Sequence, residues 1–130
     1  MLASFNFTYD SPIVCAAIHS GHELSEAVKK NLAISQDQQL YEEDPYTDRF
    51  TKICNNRIIG KFSRFEVDLN RTSDSCVYIT SRDSWGFEVR KTRPSREIIE
   101  ESRAKYFEFY RETEKYLRKM EAEFGNFFVW

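Results

Sequence analysis

Both histidines of the chain lie in one short segment, residues 19–23, which reads HSGHE. Two imidazoles and the Glu23 carboxylate within five residues could supply nitrogen and oxygen ligands to zinc. The segment follows an apolar run at 12–18 (PIVCAAI), so the histidines would stand at the end of a buried strand, where open α/β sheets place their ligands. Taken alone the motif is short, and two solvated loop histidines explain it equally well.

A second segment, residues 42–48 (EEDPYTD), concentrates carboxylates. Asp44 stands directly before Pro45, so its side chain could cap a helix that begins there and interact favourably with the helix dipole. A carboxylate can cap a helix and bind a metal at once. The pattern therefore leaves both roles open for Asp44.

The third segment, residues 64–71 (RFEVDLNR), ends in an amide and a guanidinium. Arginine recognises a carboxylate with two parallel hydrogen bonds, and a neighbouring asparagine adds a neutral donor. Asn70 and Arg71 could thus bind the carboxylate of a ligand. The alternative for a lone arginine is a surface salt bridge, here from Arg71 to Asp68 or Asp74.

Short strands and helices must position these segments. A helix is predicted at about 24–33, and another from Asp44 to about Cys54 with Phe50 and Ile53 facing inward. Residues 81–95 are predicted to form a functional loop or lid. Alternating or continuous apolar runs predict strands at 4–9, 12–18, 57–60, 64–69 and 76–80.

The clearest predicted element is a helix at 96–124, which Gly125 would end. Its apolar residues recur three or four apart, so they should form one buried stripe that includes Tyr106, Phe107, Tyr110 and Leu117. The last residues, 127–130 (FFVW), are strand-like and strongly apolar. They fit either an edge strand beside the sheet or a buried strand that has been cut.

Composition limits the classes of function. With 130 residues and 41% apolar content, the chain fits one packed domain spanning 1–130. The net charge of −2 creates no general field for nucleic acid or anionic lipid, and no apolar run approaches the ~20 residues that span a bilayer. Three cysteines without a CxxC pair are typical of reduced thiols in a cytoplasmic protein.

Together these segments resemble the N-formylglutamate amidohydrolase family, which is related to zinc carboxypeptidases and aspartoacylases. The resemblance covers about residues 11–130, and SRFEVDLNR at 63–71 is its most specific stretch. It implies an α/β fold of the zinc-peptidase (phosphorylase/hydrolase-like) type, with a mixed, mainly parallel sheet flanked by helices. The implied reaction is hydrolysis of the amide bond of a small N-acyl amino acid such as N-formyl-glutamate.

The resemblance also implies roles for individual residues. The HSG histidine, His19, and the acidic Asp44 match the family's metal ligands. His22 occupies the position of a second ligand, although Glu23 and Glu43 are alternatives there. Asn70 and Arg71 match the pair that holds the substrate carboxylate. The resemblance further implies that Arg64 is a polarising or supporting catalytic cation.

In the family the run after the long helix continues into Asp-x-His-Ser, whereas this sequence ends at Trp130. A further metal-binding histidine and the general base would therefore lie beyond the 130 residues. We expect an incomplete domain, inactive alone, that self-associates through its C-terminal apolar strand. Two alternatives are a non-catalytic carboxylate-binding or regulatory module on the same fold and a purely structural role.

Overall fold

The computed structural model describes all 130 residues and contains one four-stranded mixed sheet. The strands are β1 (Ala3–Asn6), β2 (Ile13–Ala17), β3 (Arg57–Gly60) and β4 (Phe128–Val129). Their order in the sheet is β1-β3-β2-β4; β3 pairs with β2 and β2 with β4 in parallel, while β1 and β3 are antiparallel. This confirms the predicted α/β class with a mixed, mainly parallel sheet.

Three α-helices accompany the sheet, and each begins at a serine. The Oγ atoms of Ser25, Ser35 and Ser95 accept hydrogen bonds from backbone N–H groups of the first turn, which would otherwise lack a partner. The middle helix falls in the polar stretch 35–43, for which no helix was predicted. The helices are α1 (Glu26–Asn31), α2 (Gln36–Glu42) and α3 (Arg96–Phe124).

The helix predicted from Asp44 to Cys54 is wrong in type and in orientation. Residues Thr47–Ile53 form 3₁₀ turns, because Tyr46 adopts a left-handed backbone with φ of 69° and interrupts a regular helical start. The Asp44 carboxylate consequently caps nothing. Phe50 and Ile53 are 64% and 75% exposed, and Thr51 packs inward in their place.

Two predicted strands, 64–69 and 76–80, are buried loops rather than strands. Their apolar residues are in the core as expected, but the alternating polar residues Arg64, Glu66 and Asp68 are buried too. In place of a ladder, backbone N–H groups of the first loop donate to the carbonyl oxygens of Ser63 and Cys76, and Arg90 donates to the carbonyl oxygens of Phe65 and Tyr78. The first predicted strand is also shorter than 4–9, ending at Asn6, while 81–95 contains only the 3₁₀ turn Ser81–Asp83.

The long helix α3 has the predicted bounds, and Gly125 follows it with φ of 72°. Its buried side is rotated from the predicted stripe, however: Phe107 and Tyr110 are 55% and 42% exposed. Tyr106 and Leu117 only border the core, and the hydroxyls of Tyr106 and Tyr110 donate to the backbone carbonyls of Arg71 and Leu69. The fully inward residues are Ser102, Phe109, Thr113 and Met120.

The main core lies between the sheet and α3, and it includes Val14, Ile58, Phe109 and Met120. The strand β4 is an edge of the sheet, paired only with β2, so the C-terminal run lies beside the sheet. The three cysteines are free thiols. None of the helices combines the length and the hydropathy that a membrane crossing requires.

Candidate functional site

The predicted site residues come together at the carboxyl ends of two parallel strands. The HSGHE segment follows β2 and the segment 63–71 follows β3, and Glu23 forms a parallel bridge with Phe62 just beyond the two strands. Parallel neighbours end at the same edge of a sheet, so the polar loops after them meet there. This is the position expected from the buried strand that precedes His19.

The glycine of the HSG motif is required by packing. A Cβ atom at Gly21 would lie 2.3 Å from the carbonyl carbon of Lys61 and 2.6 Å from the carbonyl oxygen of Phe62. Both are backbone atoms of the segment after β3, and they cannot rotate away as a side chain could. Gly21 therefore lets the two loops approach closely enough to share a site.

His19 is the centre of the site, with a side chain that is 12% exposed. Its Nε2 lies 2.8 Å from Asp68 Oδ1, and Arg64 Nη2 lies 2.6 Å from its Nδ1. Because a guanidinium can only donate, Nδ1 must be the acceptor, which places the ring proton on Nε2 facing Asp68. In this arrangement the Nδ1 lone pair of His19 is directed towards Arg64 and away from Asp68.

Asp44 lies next to Arg64 at the same ring nitrogen of His19. Its Oδ2 lies 3.3 Å from His19 Nδ1 and accepts a hydrogen bond of 2.9 Å from Arg64 Nη2. The Arg64 side chain is 10% exposed and its guanidinium stacks 5.5 Å from the ring centre of Trp85. The structure therefore brings His19, Asp44 and Arg64 to a single point.

Asp68 connects this point to the predicted carboxylate-binding residues. Its Oδ1 accepts from His19 and from the backbone N–H of Asn70, while its Oδ2 accepts from the Tyr78 hydroxyl at 2.6 Å and lies 3.2 Å from Arg71 Nε. Burial alone would raise the pKa of Asp68, but hydrogen bonds from His19, Tyr78 and Asn70 lower it to about 2. Asp68 is consequently a carboxylate at neutral pH.

Arg71 is held firmly by its surroundings. Besides the contact with Asp68, its Nη2 donates to the carbonyl oxygen of Asp83 at 2.6 Å, and its guanidinium lies 4.4 Å from the Tyr78 ring centre. The salt bridge to Asp68 that the sequence offered as an alternative is therefore present. Asn70 is exposed, and its side-chain amide makes no hydrogen bond within the chain.

His22 does not join the cluster around His19. Its Nδ1 makes a short hydrogen bond with Glu43, a carboxylate that is 2% exposed and also accepts from Gln39 Nε2 at 2.9 Å. The His22 ring itself is half-exposed, at 54%. The adjacent carboxylates Glu43 and Asp44 thus pair with the two histidines separately.

The candidate metal ligands accordingly fall into two groups. His19 and Asp44 converge, whereas His22 pairs with Glu43, and nowhere do three or more His, Cys, Asp or Glu side chains form an arrangement that could hold a metal ion. Two donor groups therefore converge: the Nδ1 of His19 and the carboxylate of Asp44.

Comparison with known proteins gives this arrangement a context. A sequence model of the family described as N-formylglutamate amidohydrolase matches residues 11–130. The chain belongs to this family. No curated protein and no solved structure matches it. The family is named for an amidohydrolase, and the matched region contains every residue of the site described above.

Two site residues of this amidohydrolase-family chain were missed as such by the sequence. Asp68 was considered only as a salt-bridge partner of Arg71, and Tyr78 was placed in a strand. The D-x-x-R spacing from Asp68 to Arg71 was a usable signal, because it is the spacing of the salt bridge that the sequence already offered as an alternative for Arg71. Nothing local marks Tyr78, which reaches Asp68 only through the fold of the loop 69–77.

Proposed function

We propose that the chain provides part of a zinc-dependent site that hydrolyses the amide bond of a small N-acyl amino acid, with N-formyl-glutamate as the first candidate. One observation carries the proposal: the buried Asp68 carboxylate contacts both His19 and Arg71. A predicted metal ligand and a predicted carboxylate-binding residue are thereby held at a fixed separation. Such positioning is what a substrate with a carboxylate near its scissile amide requires.

The donor atoms of His19 and Asp44 fit zinc chemically, and zinc would have to displace Arg64 Nη2, which contacts both of them. An imidazole nitrogen and a carboxylate oxygen are ligands that zinc takes, and a carboxylate behind the other ring nitrogen orients metal-binding histidines in the way that Asp68 orients His19. Zinc bound at such donors would lower the pKa of its water from ~15.7 towards ~7. Two donors are fewer than the three protein ligands of a hydrolytic zinc site.

Arg64 would act on the substrate acyl group. Its guanidinium is nearly buried, is fixed by Asp44 and Trp85, and lies at the point where His19 and Asp44 meet. A cation preorganised in a poorly solvated place stabilises negative charge that develops on an acyl oxygen. Arg64 is therefore the residue that we assign to polarising the scissile carbonyl.

Asn70 and Arg71 would hold the substrate carboxylate. The exposed amide of Asn70 is free to donate, and the Nη1 of Arg71 makes no hydrogen bond within the chain. Since Arg71 already uses Nε and Nη2, a carboxylate would first meet Nη1 and the Asn70 amide.

The three free thiols support placing this chemistry in the cytoplasm.

Calorimetric titration of zinc into the metal-stripped chain tests the metal assignment. We expect weak binding that His19→Ala or Asp44→Asn abolishes, because each removes one of two convergent donors. His22→Ala serves as the matched control and should leave binding unchanged, since His22 pairs with Glu43. Binding lost in His22→Ala but retained in Asp44→Asn would contradict this ligand assignment.

The effect of zinc on ligand binding separates the partial hydrolase site from the alternative, a non-catalytic carboxylate-binding module that should bind N-formyl amino acids equally well with and without zinc. That alternative is favoured by the presence of only two convergent metal donors beside an intact Asn70 and Arg71. We expect N-formyl and N-acetyl amino acids to bind residues 1–130 without measurable deformylation or deacetylation. Stoichiometric zinc together with turnover by these residues alone would show that the chain holds a complete site.

A further inference from the structure

Helix α3 presents an outer stripe to solvent, beside the face that carries its buried residues. The outer stripe consists of residues three or four apart, and its apolar members Phe107 and Tyr110 are 55% and 42% exposed. Leu117 and Phe127 continue the apolar surface at the other end of the helix, where they border the same shallow groove. The outer stripe is Phe107, Tyr110, Arg111, Glu114, Leu117, Arg118 and Glu121.

The charges of the outer stripe have an unusual order. Arg111, Glu114, Arg118 and Glu121 alternate in sign, and their spacings along the chain are three, four and three residues. This spacing is the same when it is read backwards, and reversal exchanges each positive position with a negative one. The side chains of Arg111, Glu114 and Arg118 are 68%, 56% and 71% exposed. Arg118 pairs with Glu114, and Arg111 with Glu112, within the same helix, and such exposed pairs can be exchanged for contacts to a partner at little cost.

We propose that the outer stripe is the docking surface for a second copy of this chain, with the two α3 helices antiparallel about a two-fold axis near Tyr116. In this pairing Arg111 lies opposite the partner's Glu121, and Glu114 lies opposite the partner's Arg118. Each contact occurs twice, as an isologous interface requires. A parallel pairing in register would instead place like charges opposite each other, which is unfavourable.

The apolar residues agree with the same arrangement. About the two-fold axis, Phe107 at one end of the stripe comes level with the partner's Gly125, next to the exposed aromatic surface that Phe127 and Phe128 provide. Apolar groups thus meet apolar groups at both ends, and opposite charges meet between them. The contact spans about 27 Å, from residue 107 to residue 125, at ~1.5 Å per residue.

Charge reversal in single variants tests the proposal, with the mass measured by sedimentation equilibrium of the full chain. Glu114→Arg and Arg118→Glu each place like charges opposite each other twice, and each should weaken the dimer about tenfold or more. An equimolar mixture of the two variants restores opposite charges in the heterodimer and should restore the dimer. The double variant Glu114→Arg/Arg118→Glu should also dimerise.

Lys115→Glu is the matched control, because Lys115 forms an exposed ion pair with Glu112 on the same helix but lies outside the outer stripe. It should leave the dimer unchanged, and circular dichroism should show all variants folded, since exposed helical ion pairs contribute little to stability. A monomeric parent chain, or single variants that dimerise as the parent does, would overturn the proposal. A dimer lost only in Val129→Lys would assign self-association to the β4 edge instead and would equally overturn it.

Discussion

Replacing Asp68 by asparagine tests the central ion and hydrogen-bond network of the site. The amide keeps the shape of the side chain and removes its charge, so the variant approximates the protonated form of Asp68. Burial would raise the pKa of Asp68, yet hydrogen bonds from His19, Tyr78 and Asn70 hold it at about 2, against the ordinary 3.8. The folded protein therefore favours the charged carboxylate.

The size of the effect follows from this difference in pKa. The difference between 3.8 and about 2, at about 1.4 kcal/mol per tenfold change in the equilibrium constant, corresponds to roughly 2.5 kcal/mol in the free energy of unfolding. The Asp68 side chain is only 6% exposed, so solvent screens the contribution little. For a 130-residue domain with an unfolding entropy of about 2.1 cal/mol/K per residue, Asp68→Asn should lower Tm by about 9 °C at pH 7.

The pH dependence gives the sign of the effect. Because the folded-state pKa is the lower one, the stabilising contribution is fully present above about pH 4 and is lost as the pH falls through about 2. The two proteins should therefore differ most at neutral pH and converge in acid. Thermal or urea unfolding at a series of pH values, with a chelator present throughout, measures this difference.

Asp74→Asn is the matched control, since Asp74 is exposed on the same loop and makes no hydrogen bond through its carboxylate. It should change the free energy of unfolding by less than about 0.5 kcal/mol at every pH. A difference between the parent chain and Asp68→Asn that stays constant from neutral pH to pH 2 would refute the reasoning. The stabilisation would then come from packing rather than from the charge of Asp68.

Four further substitutions test packing and substrate binding. Met120→Ala removes a fully buried side chain and should cost about 2–5 kcal/mol, whereas Leu117→Ala should cost less because Leu117 only borders the core; urea unfolding of both variants checks this order. Gly21→Ala should destabilise the fold and lower the yield of soluble protein, because its Cβ would meet the Lys61 backbone. Arg71→Lys should weaken binding of N-formyl-glutamate measured by calorimetry, since lysine cannot keep the contacts to Asp68 and Asp83 and also present a further N–H to the ligand, and unchanged affinity would show that Arg71 is structural.

The sequence predicted well what depends on local pattern. The apolar run before His19 placed β2 correctly, and the long periodic segment with Ser95 and Gly125 at its ends fixed the bounds of α3. The residues that meet at the edge of the sheet could also be predicted, because parallel strands bring the loops after them together.

Features that depend on tertiary contacts could not be predicted in this way. Glu66 and Asp68 alternate with apolar residues as they would on a half-exposed strand, but both are buried because Lys105, Ser25 and His19 satisfy them across the fold. The helix face of α3 was misjudged for a related reason. Ser102 and Thr113 face inward there, and periodicity of apolar residues gives no weight to them.

The close contact at Gly21 has a consequence for how the HSG motif should be interpreted in other sequences. A side chain at this position is excluded by the backbone of Lys61 and Phe62, whatever chemistry the neighbouring histidine performs. A chain that lost its activity but kept the fold would still be selected for glycine here. Presence of the glycine therefore reports only that the two loops approach each other, whereas the proposed reaction depends on other positions, first of all His19 and Asp44. Searches for inactive members should score those two positions and ignore the glycine between them.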